Sequence, residues 1–163
     1  MAKIDASEYR RFVLSSWRHG AEPERPEAAL HALGMLVSEA QEYLDNPTDD
    51  EAGDVCWACE ALALAYFLPP LGVESADPVP SRSMMTRTVA EAAQAVQKMA
   101  QGADPAAWLP TLAGALQDVR DMAMGPDADS VLRGNMAKLV ARYQGARYNE
   151  VVDSSRINRE VIQ

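Results

Sequence analysis

The stretch Glu39-Ala-Gln-Glu42-Tyr-Leu-Asp45-Asn-Pro47-Thr48-Asp-Asp50-Glu51-Ala-Gly-Asp54-Val-Cys56-Trp57 holds the end of one helical pattern, a turn and the start of a second. Asp45 to Asp50 carries the turn. Thr48 can cap a helix whose third following residue is Glu51, a spacing that satisfies amide groups at a helix start. The pattern upstream reads as a helix from about Pro26 to Leu44, with Pro26 suited to the first helical position. Leu30, Leu33, Val37, Ala40 and Leu44 recur at helical spacing, and Met35, Leu36 and Tyr43 widen the apolar surface beyond one stripe. Downstream, the helical pattern continues to about Phe67.

Working outward, Tyr9, Phe12, Val13 and Trp17 share one side of a helix from about Ser7 to Arg18, and Gly20 to Pro26 reads as a loop. Leu68 to Arg82 holds four prolines and reads as a linker. Three further helices follow: about Met84 to Gln101, stopped by Gly102; Asp104-Pro105 to about Met124; and about Asp129 to Tyr143. The last twenty residues show no clear period and read as an irregular tail. No stretch alternates as a strand does, so the expected fold is all-α, a bundle of about six helices. An echo crosses the linker: Glu39-x-x-Glu42 and Glu51-x-x-Asp54 answer to Glu91-x-x-Gln94 and Ala115-x-x-Asp118. Self-similarity of this kind suggests duplicated units sharing one core. The expected division is a first unit at 1–68 with the full acidic pattern, a proline-rich linker at 69–83, and a degenerate second unit at 84–163.

The formal charge of −9 argues against duplex nucleic acid or an anionic membrane as the main partner, since both demand a basic surface. The longest apolar stretch, Ala61 to Val73, is broken by Pro69 and Pro70 and is too short for a bilayer. The opening residues are charged where a leader would need an apolar run, so a cytoplasmic location is expected. Cys56 and Cys59 are the only cysteines, and their spacing admits a zinc or redox role. With no second pair, and with both inside an expected helix, buried reduced thiols are the favoured reading.

Chemistry points to the acids. Glu39 and Glu42 lie about one turn apart on one helix, and Glu51 and Asp54 repeat that spacing on the next. At 100° per residue Glu51 and Asp54 share the stripe of Val55, Ala58, Ala61, Leu62 and Ala65, which sets them on the packed face, whereas Glu60 points away. Four carboxylates in a helix interface repel and suffer desolvation unless they protonate or a cation neutralises them. Oxygen ligands without His or Cys favour Mg²⁺, with Mn²⁺ as a substitute, over zinc. The bland reading, solvated acids on helix surfaces, stays open beside it.

This pattern, with Val-Cys-Trp after Asp54, is similar to the ExxE…ExxD signature of the MazG-like and dimeric dUTPase superfamily of all-α nucleoside triphosphate pyrophosphohydrolases. Asn135-Met-Ala-Lys138-Leu-Val-Ala-Arg142-Tyr143 resembles the NxxKLxxRY helix that follows in such enzymes. The resemblance implies Mg²⁺-dependent hydrolysis of a nucleoside triphosphate to the monophosphate and pyrophosphate. Glu39, Glu42, Glu51 and Asp54 would then be metal ligands and catalytic acids, and Asn135, Lys138 and Arg142 would contact phosphate or sugar. Trp17 stands between a base-stacking and a core role, Trp57 reads as core, Lys98 as a solvated lysine and His31 as a packed edge. The spacing between Glu42 and Glu51, eight residues, is shorter than the family usually has. The expected assembly is a homodimer or a pseudo-dimeric monomer. The alternative is a non-catalytic helical protein, an interaction module or nucleotide sensor of the same descent.

Overall fold

The structure, a computed structural model, describes residues 2–19, 26–75 and 81–143. Among these residues six helices and no strand are present: α1 (Ala6–Ser16), α2 (Pro26–Asp45), α3 (Asp49–Ala65), α4 (Arg82–Ala100), α5 (Pro105–Met124) and α6 (Ala128–Tyr143). The expected irregular tail, the loop before Pro26 and part of the proline-rich linker lie outside the described residues.

Local chemistry sets the helix starts. The side chains of Asp5, Thr48, Ser81 and Asp104 each accept a hydrogen bond from a backbone N–H in the following turn. Thr48 bonds to the Glu51 amide, as the sequence predicts. At the far end of α4 the chain leaves the helix through Gly102, whose φ of 88° is costly for any side chain with a Cβ.

The centre of the molecule is α3, which packs against α1, α2, α5 and α6, while α4 lies on α5 and α2. Nearly every residue of α3 from Ala52 to Ala63 is buried, and four of those are alanine. Small side chains let several helices approach one axis at once, so α3 has no solvent face along most of its length. This overturns the expectation that Glu60 points away. Glu60 is 0 % exposed, and it is held by Arg10 at 2.6 Å and Arg120 at 2.5 Å. The expectation for α2 is also corrected. Its core face is Ala28, Ala29, Ala32, Leu36 and Ala40, while Leu30 and Val37 are 60 % and 49 % exposed. Close packing onto α3 and α4 selects the alanines, and the larger side chains are turned outward.

The two halves share one core, since α3 packs on α5 and α6 and α2 packs on α4. Part of the expected linker is tied down. Leu68 and Leu71 are buried, the Leu71 amide donates to Glu60, and the Gly72 amide donates to Gln117 on α5 at 2.7 Å. Arg82, at the start of α4, pairs with Asp45 at the end of α2.

One close approach carries weight for the site. A Cβ on Gly53 would lie 2.7 Å from the Cβ of Asn135 on α6. Gly53→Ala is therefore expected to destabilise the fold by about 1–2 kcal/mol, an overpacking cost partly offset by the better helix propensity of alanine. The urea midpoint reads this directly, and an unchanged midpoint would show that α6 can move aside freely.

Candidate metal centre

Glu39 comes from the last third of α2, and Glu51 and Asp54 come from the first two turns of α3. The tight turn around Pro47 folds these helices side by side and brings the three acids together. One carboxylate oxygen from each lies within 4.8 Å of the others. Octahedral Mg²⁺ with bonds near 2.1 Å sets opposite ligands about 4.2 Å apart, so a small closure or an intervening water would let all three serve one ion. Their donor set, oxygen only and three formal negative charges, suits a hard divalent cation.

The electrostatics are those of acids crowded without a full counter-charge. Burial, then the charges of Asp54, Glu42 and Glu51, push the Glu39 carboxyl up to about 7. Burial also raises Asp54, although its hydrogen bond to Lys138 pulls the other way. Glu51 is raised by burial and by Asp54 and Glu42. Glu51 also stands in the first turn of α3 with Asp49 and Asp50, where the helix dipole offsets part of the repulsion.

Helix α6 brings further groups against these acids. Lys138 Nζ lies 2.5 Å from Asp54 Oδ2 and 3.0 Å from Asp50 Oδ1. Burial pulls its ammonium down, but the two carboxylate bonds outweigh that and hold it above its ordinary value. Arg142, one turn further, adds a positive charge that helps to lower Asp54. Asn135 is 1 % exposed, and both ends of its amide are used inside the protein. Its Nδ2 donates to Asp54 Oδ1 at 3.0 Å, and its Oδ1 accepts from the Tyr9 hydroxyl at 3.0 Å.

Of the residues singled out by sequence, Glu39, Glu51, Asp54, Asn135 and Lys138 are thus joined by proximity or hydrogen bonds. Glu42 is exposed, accepts from the Ser38 hydroxyl, and lies outside the trio, although its charge is felt by Glu39 and Glu51. Trp17 is 4 % exposed and meets the rings of Trp57, His19 and His31. Trp57 is also buried, and its indole N–H donates to Ser16. Lys98 is half-buried in the last turn of α4. Cys56 and Cys59 are buried free thiols, and burial raises Cys56 to about 12. Sequence reasoning missed Tyr9 and Asp50. A tyrosine at a packing position of α1 looks like core, and an acid in a helix start looks like a cap.

Compared with known proteins, the chain matches no family model, no curated protein and no solved structure. The site therefore stands on its own geometry.

That geometry has a consequence for stability. Between pH 4.5 and about 7 the folded chain holds a proton on Glu39 that the unfolded chain releases, so stability should fall as pH rises through that window. Glu39→Gln should flatten the fall. Millimolar Mg²⁺ should raise the melting temperature more at pH 8 than at pH 5, because a cation bound only by the folded state relieves the ionised acids. Melting curves in EDTA and in Mg²⁺ test both. Equal slopes in wild type and variant, with no effect of Mg²⁺, would remove the metal centre.

Proposed function

We propose that the protein hydrolyses a nucleoside triphosphate to the monophosphate and pyrophosphate with Mg²⁺, or Mn²⁺ in its place, as a MazG-like enzyme does. The observation that carries this reading is the convergence of Glu39, Glu51 and Asp54 from two consecutive helices, with Lys138 reaching in from a third. The order of the acidic and NxxKLxxRY motifs, and their resemblance to those of such pyrophosphohydrolases, supplies the choice of substrate class.

In this reading Glu39, Glu51 and Asp54 hold the ion, and Lys138 and Arg142 face the phosphates. A bound divalent cation supplies charge neutralisation at phosphate oxygens and lowers the pKa of nearby water. Glu42, exposed and outside the trio, has room to accept a proton from the attacking water. Water adds to phosphorus, the bond between the α- and β-phosphoryl groups breaks, and pyrophosphate leaves with the charge that Lys138 and Arg142 offset. Asn135, sealed inside the protein, acts on Asp54 and leaves the phosphate contacts to the two cations. The reaction belongs in the cytoplasm, with the nucleotide as the partner and a homodimer or a pseudo-dimeric monomer as the assembly. No helix among the described residues is long and apolar enough to cross a membrane.

A pyrophosphate-release screen over the standard and several modified nucleoside triphosphates, in Mg²⁺ and in EDTA, tests the reading. Release with at least one substrate that disappears in EDTA is the expected result, and silence across the screen would overturn it. One observation favours a second reading, a nucleotide sensor without turnover. Lys138 already lies on Asp54 and supplies an internal cation to the acids. Saturable nucleotide binding with no pyrophosphate released would select the sensor.

A further inference from the structure

The notable feature around the acid trio is how firmly one member is held. Asp54 has a separate partner for each oxygen: Asn135 Nδ2 donates to Oδ1 at 3.0 Å, and Lys138 Nζ to Oδ2 at 2.5 Å. A carboxylate has about four lone-pair sites, so two such bonds leave room for a cation while fixing the plane of the group. Lys138 is a flexible point charge and gives little direction. Direction comes from Asn135, a planar amide that cannot turn without losing a buried bond. What stops it turning is the Tyr9 hydroxyl, 3.0 Å from its Oδ1, on a tyrosine that is itself fully buried. The backbone of α3 has yielded to this arrangement as well, because any side chain at position 53 would run into Asn135.

We propose that Tyr9 is a positioning residue for the acid trio: through Asn135 it sets the orientation in which Asp54 faces Glu39 and Glu51. The proposal rests on the metal reading above for its consequence, and on the Tyr9–Asn135–Asp54 chain of bonds for its geometry. The Tyr9 hydroxyl donates to Asn135, not to one of the three acids. It acts from α1 across α6 onto α3, so the trio is preorganised by a helix that contributes no ligand. Groups that orient metal ligands in this way typically alter metal affinity by 10–100-fold when removed.

Tyr9→Phe is the informative change. It keeps the ring, including its packing beneath the Arg120 guanidinium, and deletes only the hydroxyl. Ser16→Ala is the control, since it also removes one end of a buried side-chain bond, that to Trp57 at 2.9 Å. Mn²⁺ titration of the full chain should show about tenfold weaker binding in Tyr9→Phe and wild-type binding in Ser16→Ala. Unchanged binding in Tyr9→Phe, or equal weakening in both variants, would overturn the proposal. If wild type binds no Mn²⁺, the metal reading itself fails, and the positioning role is decided by NMR without metal. The Asn135 side-chain amide and Asp54 carboxyl-carbon resonances should move in Tyr9→Phe and stay in Ser16→Ala. Resonances that stay in both variants would overturn it.

Discussion

Asp54→Asn should lower pyrophosphate release by about a thousandfold, the scale of loss when one group is taken from a preorganised electrostatic site. The fold should survive. Asn135 can still donate to the new amide oxygen, and Lys138, partly exposed, keeps Asp50 at 3.0 Å. Metal binding should go with the activity, because Asp54 is the most firmly held of the three candidate ligands. Glu42→Gln should also abolish release, yet leave Mn²⁺ affinity close to wild type, since Glu42 stands outside the trio. Metal titration beside the activity assay separates the two roles. Wild-type-like turnover in both variants would refute the site. Loss of metal binding in Glu42→Gln would make that residue a fourth ligand.

Glu60→Ala should cost about 3–5 kcal/mol, the usual penalty for removing one partner of a buried ion pair. Glu60 and Arg120 are both fully buried and 2.5 Å apart, and Arg10 closes the other side of the carboxylate. Arg10 reaches solvent in part and also donates to the carbonyl oxygens of Leu68 and Pro69. Arg120 has no such outlet. Its Nε and Nη2 already find no hydrogen-bond partner among the described residues. Without Glu60 its remaining ionic bond is gone and a full charge is left in the core, over the Tyr9 ring. Against a total stability of about 5–15 kcal/mol, such a loss leaves little folded protein at moderate urea. Glu60→Gln keeps one amide oxygen to accept from Arg120 and turns its NH2 toward Arg10, which retains the Leu68 and Pro69 carbonyls, and should cost less than the alanine change. A Glu60→Ala midpoint within about 1 kcal/mol of wild type would mean that water or a rearranged side chain serves Arg120.

The helices and their starts were legible because period and capping are local. Thr48 and Asp104 announce themselves within four residues, Ser81 caps α4 from inside the stretch that reads as linker, and Gly102 closes α4 as a left-handed glycine should. Which face of a helix meets the core is not local. Leu30 and Val37 recur at the right spacing, yet α2 packs through its alanines because α3 and α4 come close on that side. Glu60 failed for the same reason. A helical wheel assumes an outside, and α3, wrapped by four others, has almost none. The candidate site divides in the same way. The acids of α2 and α3 were readable as a pair of motifs across a short turn, whereas Tyr9 carries no mark that separates it from a packing residue. Asn135 and Lys138 stood out through a resemblance, but their attachment to Asp54 depends on how α6 crosses α3.

The bonds that Asp54 makes to Asn135 and Lys138 span 81 and 84 positions of the chain. During vectorial synthesis Tyr9 and all four candidate acids leave the ribosome long before Asn135 and Lys138, the two groups that bond Asp54 directly. A nascent chain ending near the proline-rich segment therefore lacks Asn135 over Gly53 and both hydrogen-bond partners of Asp54. Contacts of such separation in the chain form only once α6 is present, so the full restraint on Asp54 depends on the last of the described helices.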